Sequence, residues 1–174
     1  CSLAKAQGTD EQLAAQYFQQ GDFDRASLYY DKLYKQQPST FNYEQLFQCW
    51  MSLKNYENAE KLAKDQQRRQ NDPRGSVDMG VVLKAKGEDE KAEQQFDKAL
   101  KALKEDQNSI RSLANAFQKY NEYDRALKVY DRGKKASKNE GYSFDYEIAQ
   151  LYAAKGDLQG MTTSFMDLLT VNPS

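Results

Sequence analysis

One short motif recurs along the chain. It reads Gly21-Asp22-Phe23-Asp24-Arg25-Ala26, then Lys54-Asn55-Tyr56-Glu57-Asn58-Ala59. It continues as Gly87-Glu88-Asp89-Glu90-Lys91-Ala92 and Asn121-Glu122-Tyr123-Asp124-Arg125-Ala126, with a worn copy at Gly156-Asp157-Leu158. Successive copies lie 33, 33, 34 and 35 residues apart. A period of about 34 residues belongs to a helix–turn–helix unit that buries its apolar face only by stacking on copies of itself. Such an array presents an extended surface and no enclosed reaction chamber.

The residues around each turn recur at helical spacing. Leu13, Tyr17 and Phe18 precede the first turn, and Ala26, Tyr29, Tyr30 and Leu33 follow it. Gln37-Pro38-Ser39 then stops the helix, because proline has no N–H to donate and clashes with the preceding turn. The same reading gives repeats at about 7–39, 40–72, 73–106, 107–141 and 142–174, and ten helices of about 12–15 residues each. Antiparallel helices joined by a tight turn need small side chains at their closest approach. Ala14, Ala26, Ala59, Gly80, Ala92, Ala114, Ala126 and Ala149 supply them. Aromatics such as Tyr30, Trp50, Phe96, Phe117 and Tyr130 fill the wedge between hairpins. Repeat 2 exchanges the two sizes, with Phe47 at a small position and Ala63 at an aromatic one, a volume-conserving swap. The glycine of each turn is expected in the left-handed conformation that ends a helix. The run Thr162-Thr163-Ser164 makes the last helix the weakest of the ten on propensity.

Five tandem copies resemble the tetratricopeptide-repeat family, and the resemblance covers about residues 7–174. Its clearest copy is Leu13-Ala14-x-x-Tyr17, Gly21-Asp22-Phe23, Ala26, Tyr30 and Pro38. The resemblance implies an all-α, right-handed α-solenoid whose concave face is lined by the first helix of each hairpin and binds a peptide or a partner's helix. On that implied geometry the face carries Glu11, Ala15 and Phe18 in repeat 1, then Glu44, Gln48 and Met51 in repeat 2. Val77, Val81 and Lys84 follow in repeat 3, Arg111, Asn115 and Gln118 in repeat 4, and Tyr146, Gln150 and Ala153 in repeat 5. The alternative for each of these positions is an ordinary solvated side chain. Some members of the family clamp a carboxylate tail with Lys and Asn. Arg111 with Asn115 resembles one rung of that clamp and could hold a single carboxylate. The remaining rungs depart from the pattern, and repeat 5 has Glu147 where Asn is expected, so that activity is not carried over.

Composition narrows the function classes. Twenty-five Lys+Arg balance 26 Asp+Glu, for a net charge of −1, which argues against a general nucleic-acid binder. The basic stretch Lys61, Lys64, Arg68, Arg69 and Arg74 reads either as an anionic docking patch or as a solvated helix face. The chain has no histidine, which removes the commonest general base and metal ligand. Its two cysteines, Cys1 and Cys49, are too few for a Cys-rich zinc site. Cys49 beside Trp50 reads as a packing residue. No cofactor, metal or catalytic set is expected. The functional expectation is a non-enzymatic scaffold for a protein or peptide, the alternative being the docking or regulatory arm of a larger enzyme or regulator.

The ends carry further expectations. Residues 1–8 read as a tail preceding a repeat domain at 9–174. Ala4-Lys5-Ala6 before Gln7 fits a signal-peptidase site, while Cys1 fits the lipid-bearing first residue of an exported bacterial lipoprotein. Both place the chain in the periplasm or on a membrane through a lipid anchor, and a cytoplasmic chain is the third reading. Phe165, Met166, Leu168, Leu169 and Val171 do not make the polar outer face that a terminal repeat needs. They point to a fragment of a longer array or to self-association through repeat 5.

Overall fold

The computed structural model describes residues 2–70, 73–136 and 143–171. Ten helices occupy them, and among the described residues there is no strand. In chain order they are α1 (Ser2–Gln19), α2 (Phe23–Gln36), α3 (Thr40–Ser52), α4 (Tyr56–Gln70) and α5 (Arg74–Ala85). Then come α6 (Asp89–Lys101), α7 (Gln107–Lys119), α8 (Tyr123–Ala136), α9 (Asp145–Lys155) and α10 (Leu158–Val171). Each repeat has an odd-numbered opening helix and an even-numbered closing helix, and α1 with α2, α3 with α4, α7 with α8 and α9 with α10 pack as hairpins. The backbone is helical from Ser2, so α1 begins inside the segment read as a tail. Cys1 lies outside the described residues, as do Asp72, Asn172 and Pro173.

The recurring motif is the turn of each hairpin. Gly21, Gly87 and Gly156 have φ of 74°, 79° and 81°, and Lys54 and Asn121 hold the same left-handed conformation at 54° and 60°. At each turn the same two backbone bonds close the helix. The Gly21 N–H donates to the Phe18 carbonyl at 3.0 Å, and the Asp22 N–H donates to Tyr17 at 2.9 Å. The second bond recurs as Asn55 to Trp50, Glu88 to Leu83, Glu122 to Phe117 and Asp157 to Tyr152, all between 2.8 and 3.0 Å. This is the two-bond C-cap of a helix that ends in a left-handed residue. The residue after the turn then starts the closing helix. The carboxylates of Asp22 and Asp157 and the amide oxygen of Asn55 accept the N–H of the residue three positions on, at 3.2, 2.9 and 3.2 Å. One dipeptide therefore ends one helix and caps the next.

The chain divides into two compact units. One holds α1–α4 together with Asp78–Ala92, and the other holds the first turn of α5 and the chain from Glu93 onward. The first unit is built on Leu33, Leu46 and Phe47, each 2% exposed or less. Tyr43 crosses from α3 to α5, and its hydroxyl donates to Asp78 at 2.6 Å, giving a buried carboxylate a partner. The second unit is built on Phe96, Ile110, Leu113, Phe117, Tyr130 and Phe144. Its hairpins approach closely. A Cβ on Gly133 would meet the Phe144 ring at 2.7 Å and Ile110 at 2.9 Å.

The expected small positions are all buried, from Ala14 through Ala149, as are both members of the size exchange, Phe47 and Ala63. α10 forms despite its propensity. Thr162, Thr163 and Ser164 turn their hydroxyls back onto the carbonyls of Leu158, Gln159 and Gly160 at 2.8, 3.0 and 2.9 Å. Their polar atoms are thus satisfied inside the helix.

Candidate interaction faces

The expected binding positions fall on the opening helices, one set in each unit. In the first unit Gln48 and Lys84 are exposed, while Glu44, Met51 and Val81 are half-buried. In the second, Asn115, Tyr146 and Gln150 are exposed, while Arg111 and Gln118 are half-buried. Ala15, Gln48, Val81, Asn115 and Gln150 share one register, each six residues before its turn residue.

Two expectations are corrected. Val77 is fully buried. Val77 through Gly80 are buried without a break, so this part of α5 has no solvent stripe, and a helix enclosed on every side offers nothing to a ligand. Arg111 does not await a ligand's carboxylate either. Its Nε donates to Glu147 Oε1 at 2.6 Å, joining α7 to α9, and its guanidinium lies 5.5 Å from the centre of the Phe144 ring. The Glu147 that departs from the family's clamp supplies, from within the chain, the carboxylate the clamp would have held. The pair acts on Tyr130, whose hydroxyl is pushed up to about 12, first by burial and then by the Glu147 charge.

Other sequence candidates resolve into packing or paired charge. Cys49 is fully buried, and burial pushes its thiol up to about 12. A thiol held protonated is a poor nucleophile. In the basic stretch, Lys61 pairs with Glu57 at 2.7 Å and Lys64 with Glu60 at 2.8 Å, one helical turn apart, as expected of a solvated helix face. The side chain of Arg69 lies outside the described residues. Among the described residues no cluster of His, Cys, Asp or Glu could hold a metal ion, and no helix is long and apolar enough to cross a membrane.

On the closing-helix side each unit has an open cleft, of about 640 Å³ in the first and about 440 Å³ in the second. Their walls occupy the same register. Asp31, Leu46, Trp50 and Asp65 in the first correspond to Asp131, Ile148, Tyr152 and Asp167 in the second. In each, an aliphatic and an aromatic side chain of the opening helix form the floor, and an aspartate from either closing helix stands at the rim. In the first cleft Lys35 holds Asp31 at 2.6 Å, and the Tyr34 hydroxyl donates to Asp65 at 3.2 Å.

The family model for Intraflagellar transport protein 56 matches residues 10–161. The chain belongs to the Intraflagellar transport protein 56 family. The tetratricopeptide-repeat resemblance read from the turn motif therefore holds across nearly all of this family member. No curated protein matches it. Solved structures similar to it include a tetratricopeptide-repeat protein of Thermus thermophilus, at 17% identity over 97% of this chain and 92% of that one, with a TM-score of 0.49. Another is a tetratricopeptide-repeat protein of Parabacteroides merdae, at 14% identity over 97% and 68%, with a TM-score of 0.49. MamA of Desulfovibrio magneticus is similar at 13% identity over 94% and 93%, with a TM-score of 0.48.

The paired clefts of this family member were missed on the sequence. Their signal was present, an aspartate ten residues after one turn and eleven after the next with an aromatic four before the second. Only the helix packing shows that these three positions converge.

Proposed function

We propose that the chain is a non-catalytic scaffold that holds an extended peptide or a helix of a partner protein against its opening helices. The observation that carries this reading is the pair of exposed amides at one register of the second unit, Asn115 on α7 and Gln150 on α9, a register that the exposed Gln48 holds on α3 of the first unit. A side-chain amide both donates and accepts, so it pairs with a peptide backbone whatever that peptide's sequence. Tyr146, a large side chain 56% exposed and one turn before Gln150 on α9, adds apolar area for a partner's side chain.

The test is capture of partners from native extract by the full-length protein carrying Gln48→Ala, Asn115→Ala and Gln150→Ala together. All three positions are exposed, so helicity and melting should not change. Loss of a partner that the wild type retains supports the reading. Unchanged capture with an intact fold removes the opening-helix faces as the site.

A further inference from the structure

The cleft of the second unit has Ile148 and Tyr152 of α9 as its floor, with Asp131 of α8 and Asp167 of α10 at its rim. One hairpin earlier the same register carries a different residue. Arg132, eleven residues after its turn residue, has the position of Asp65 and Asp167. Its guanidinium donates to the carbonyl of Leu100 on α6 and lies 3.8 Å from Glu105. Leu100 has the register of Tyr34 and Lys134, which line the two clefts. The floor aromatic of that register, Phe117, is fully buried, whereas its counterparts Trp50 and Tyr152 are half-buried. Between α6 and α8 the chain therefore places its own guanidinium at this register, and the floor is closed. Between α8 and α10 an aspartate stands in that position, and the floor is open.

Charge separates the two clefts. In the first, Lys35 and Lys61 stand beside Asp31 and Asp65. In the second, Asp131, Asp157 and Asp167 are set against one base, Lys134, and that base is paired with the buried Asp145. Asp131 makes no hydrogen bond or ion pair among the described residues. Carboxylates on both walls above an aromatic floor match an arginine side chain. Its stem packs on apolar surface, its plane stacks on a ring, and its five N–H groups reach several oxygens at once. The counterpart cleft between α2 and α4 stays open although α5 follows it in the chain.

We infer that the cleft between α8 and α10 binds an arginine side chain of a partner protein. Asp131 and Asp167 hold the guanidinium from either wall, and Tyr152 stacks on it. This site is separate from the opening-helix amides, so either can fail without the other.

Titration of the full-length protein with the peptide acetyl-Gly-Gly-Arg-Gly-Gly-amide, followed by amide chemical shifts, tests this. The expected result is saturable shifts at Gly160, Thr163 and Ser164, absent with the same peptide carrying citrulline, the neutral isostere of arginine. Asp131→Asn with Asp167→Asn should weaken binding by about fivefold or more. Both aspartates are exposed, so the doubly substituted chain keeps its fold. Asp31→Asn with Asp65→Asn should leave the binding unchanged. The absence of saturable shifts, an equal response to citrulline, or binding indifferent to Asp131 and Asp167 overturns the inference.

Discussion

Arg111 and Glu147 stand on the opening helices of successive hairpins and meet at 2.6 Å, with Arg111 39% and Glu147 21% exposed at the side chain. The pair fixes the register of α7 against α9 in the second unit. At this exposure solvent screens much of the attraction. A double-mutant cycle with Arg111→Gln and Glu147→Gln should return a coupling of about 0.5–1 kcal/mol, read from urea midpoints. Glu147→Gln alone should leave Arg111 able to take a small carboxylate. Isothermal titration with acetate would show a weak site absent from the wild type.

The turns predict opposite effects for glycine at neighbouring copies. Lys54 carries a Cβ in a left-handed conformation, which costs an ordinary residue about 1 kcal/mol. Lys54→Gly should therefore stabilise the protein by up to about 1 kcal/mol, and Asn121→Gly by less, since asparagine tolerates that region. At Gly21, Gly87 and Gly156 a Cβ would meet nothing within 4 Å, yet alanine should destabilise each by about 1 kcal/mol through backbone strain alone. Thermal melts of the five single variants would show this ordering.

Gly133 behaves differently, because there the space itself is missing. Gly133→Ala forces a methyl against Phe144 and Ile110 and should destabilise by about 1–3 kcal/mol. Pairing it with Phe144→Leu should recover part of that loss. Recovery by the smaller neighbour, seen in chemical denaturation, separates crowding from any change in helix propensity.

Alkaline pH should weaken the fold through two buried groups. Burial pushes the Cys49 thiol from 9.0 to about 12, and burial with the Glu147 charge pushes Tyr130 from 10.0 to about 12. Well below pH 9 both groups keep their protons folded and unfolded, so stability does not depend on them. Above that, the unfolded chain releases protons that the folded chain retains, and stability falls as pH rises toward 12. Cys49→Ala should flatten the decline that begins near pH 9, and Tyr130→Phe the part that begins near pH 10. A thiol-reactive dye should label Cys49 only as the protein unfolds.

The turns and their period were legible in the sequence because they depend on residues adjacent in the chain. Gly21-Asp22 ends and starts a helix with bonds that span five residues or fewer, and the small positions of the hairpins follow from the same local register. What stayed hidden depends on packing between hairpins. Whether Arg111 faces solvent or Glu147 turns on how α7 and α9 are offset, and no spacing within either helix encodes that. Val77 sits at a groove register, but its burial comes from packing that α5's own sequence does not specify. α10 is a weak helix on propensity at Thr162, Thr163 and Ser164, and what holds it is close packing on α9, where Gly160 lies against the Tyr152 ring, a contact between helices that propensity does not contain.

Each hairpin closes through bonds between near neighbours, so the folding chain closes few long loops before contacts form. Local closure of this kind makes for rapid folding, with nucleation open to more than one hairpin. Among the described residues, α10 keeps Leu158, Met166 and Leu169 exposed. Amide exchange at α10 should be the fastest among the closing helices, and exchange in α8, with Val129 and Tyr130 buried, much slower.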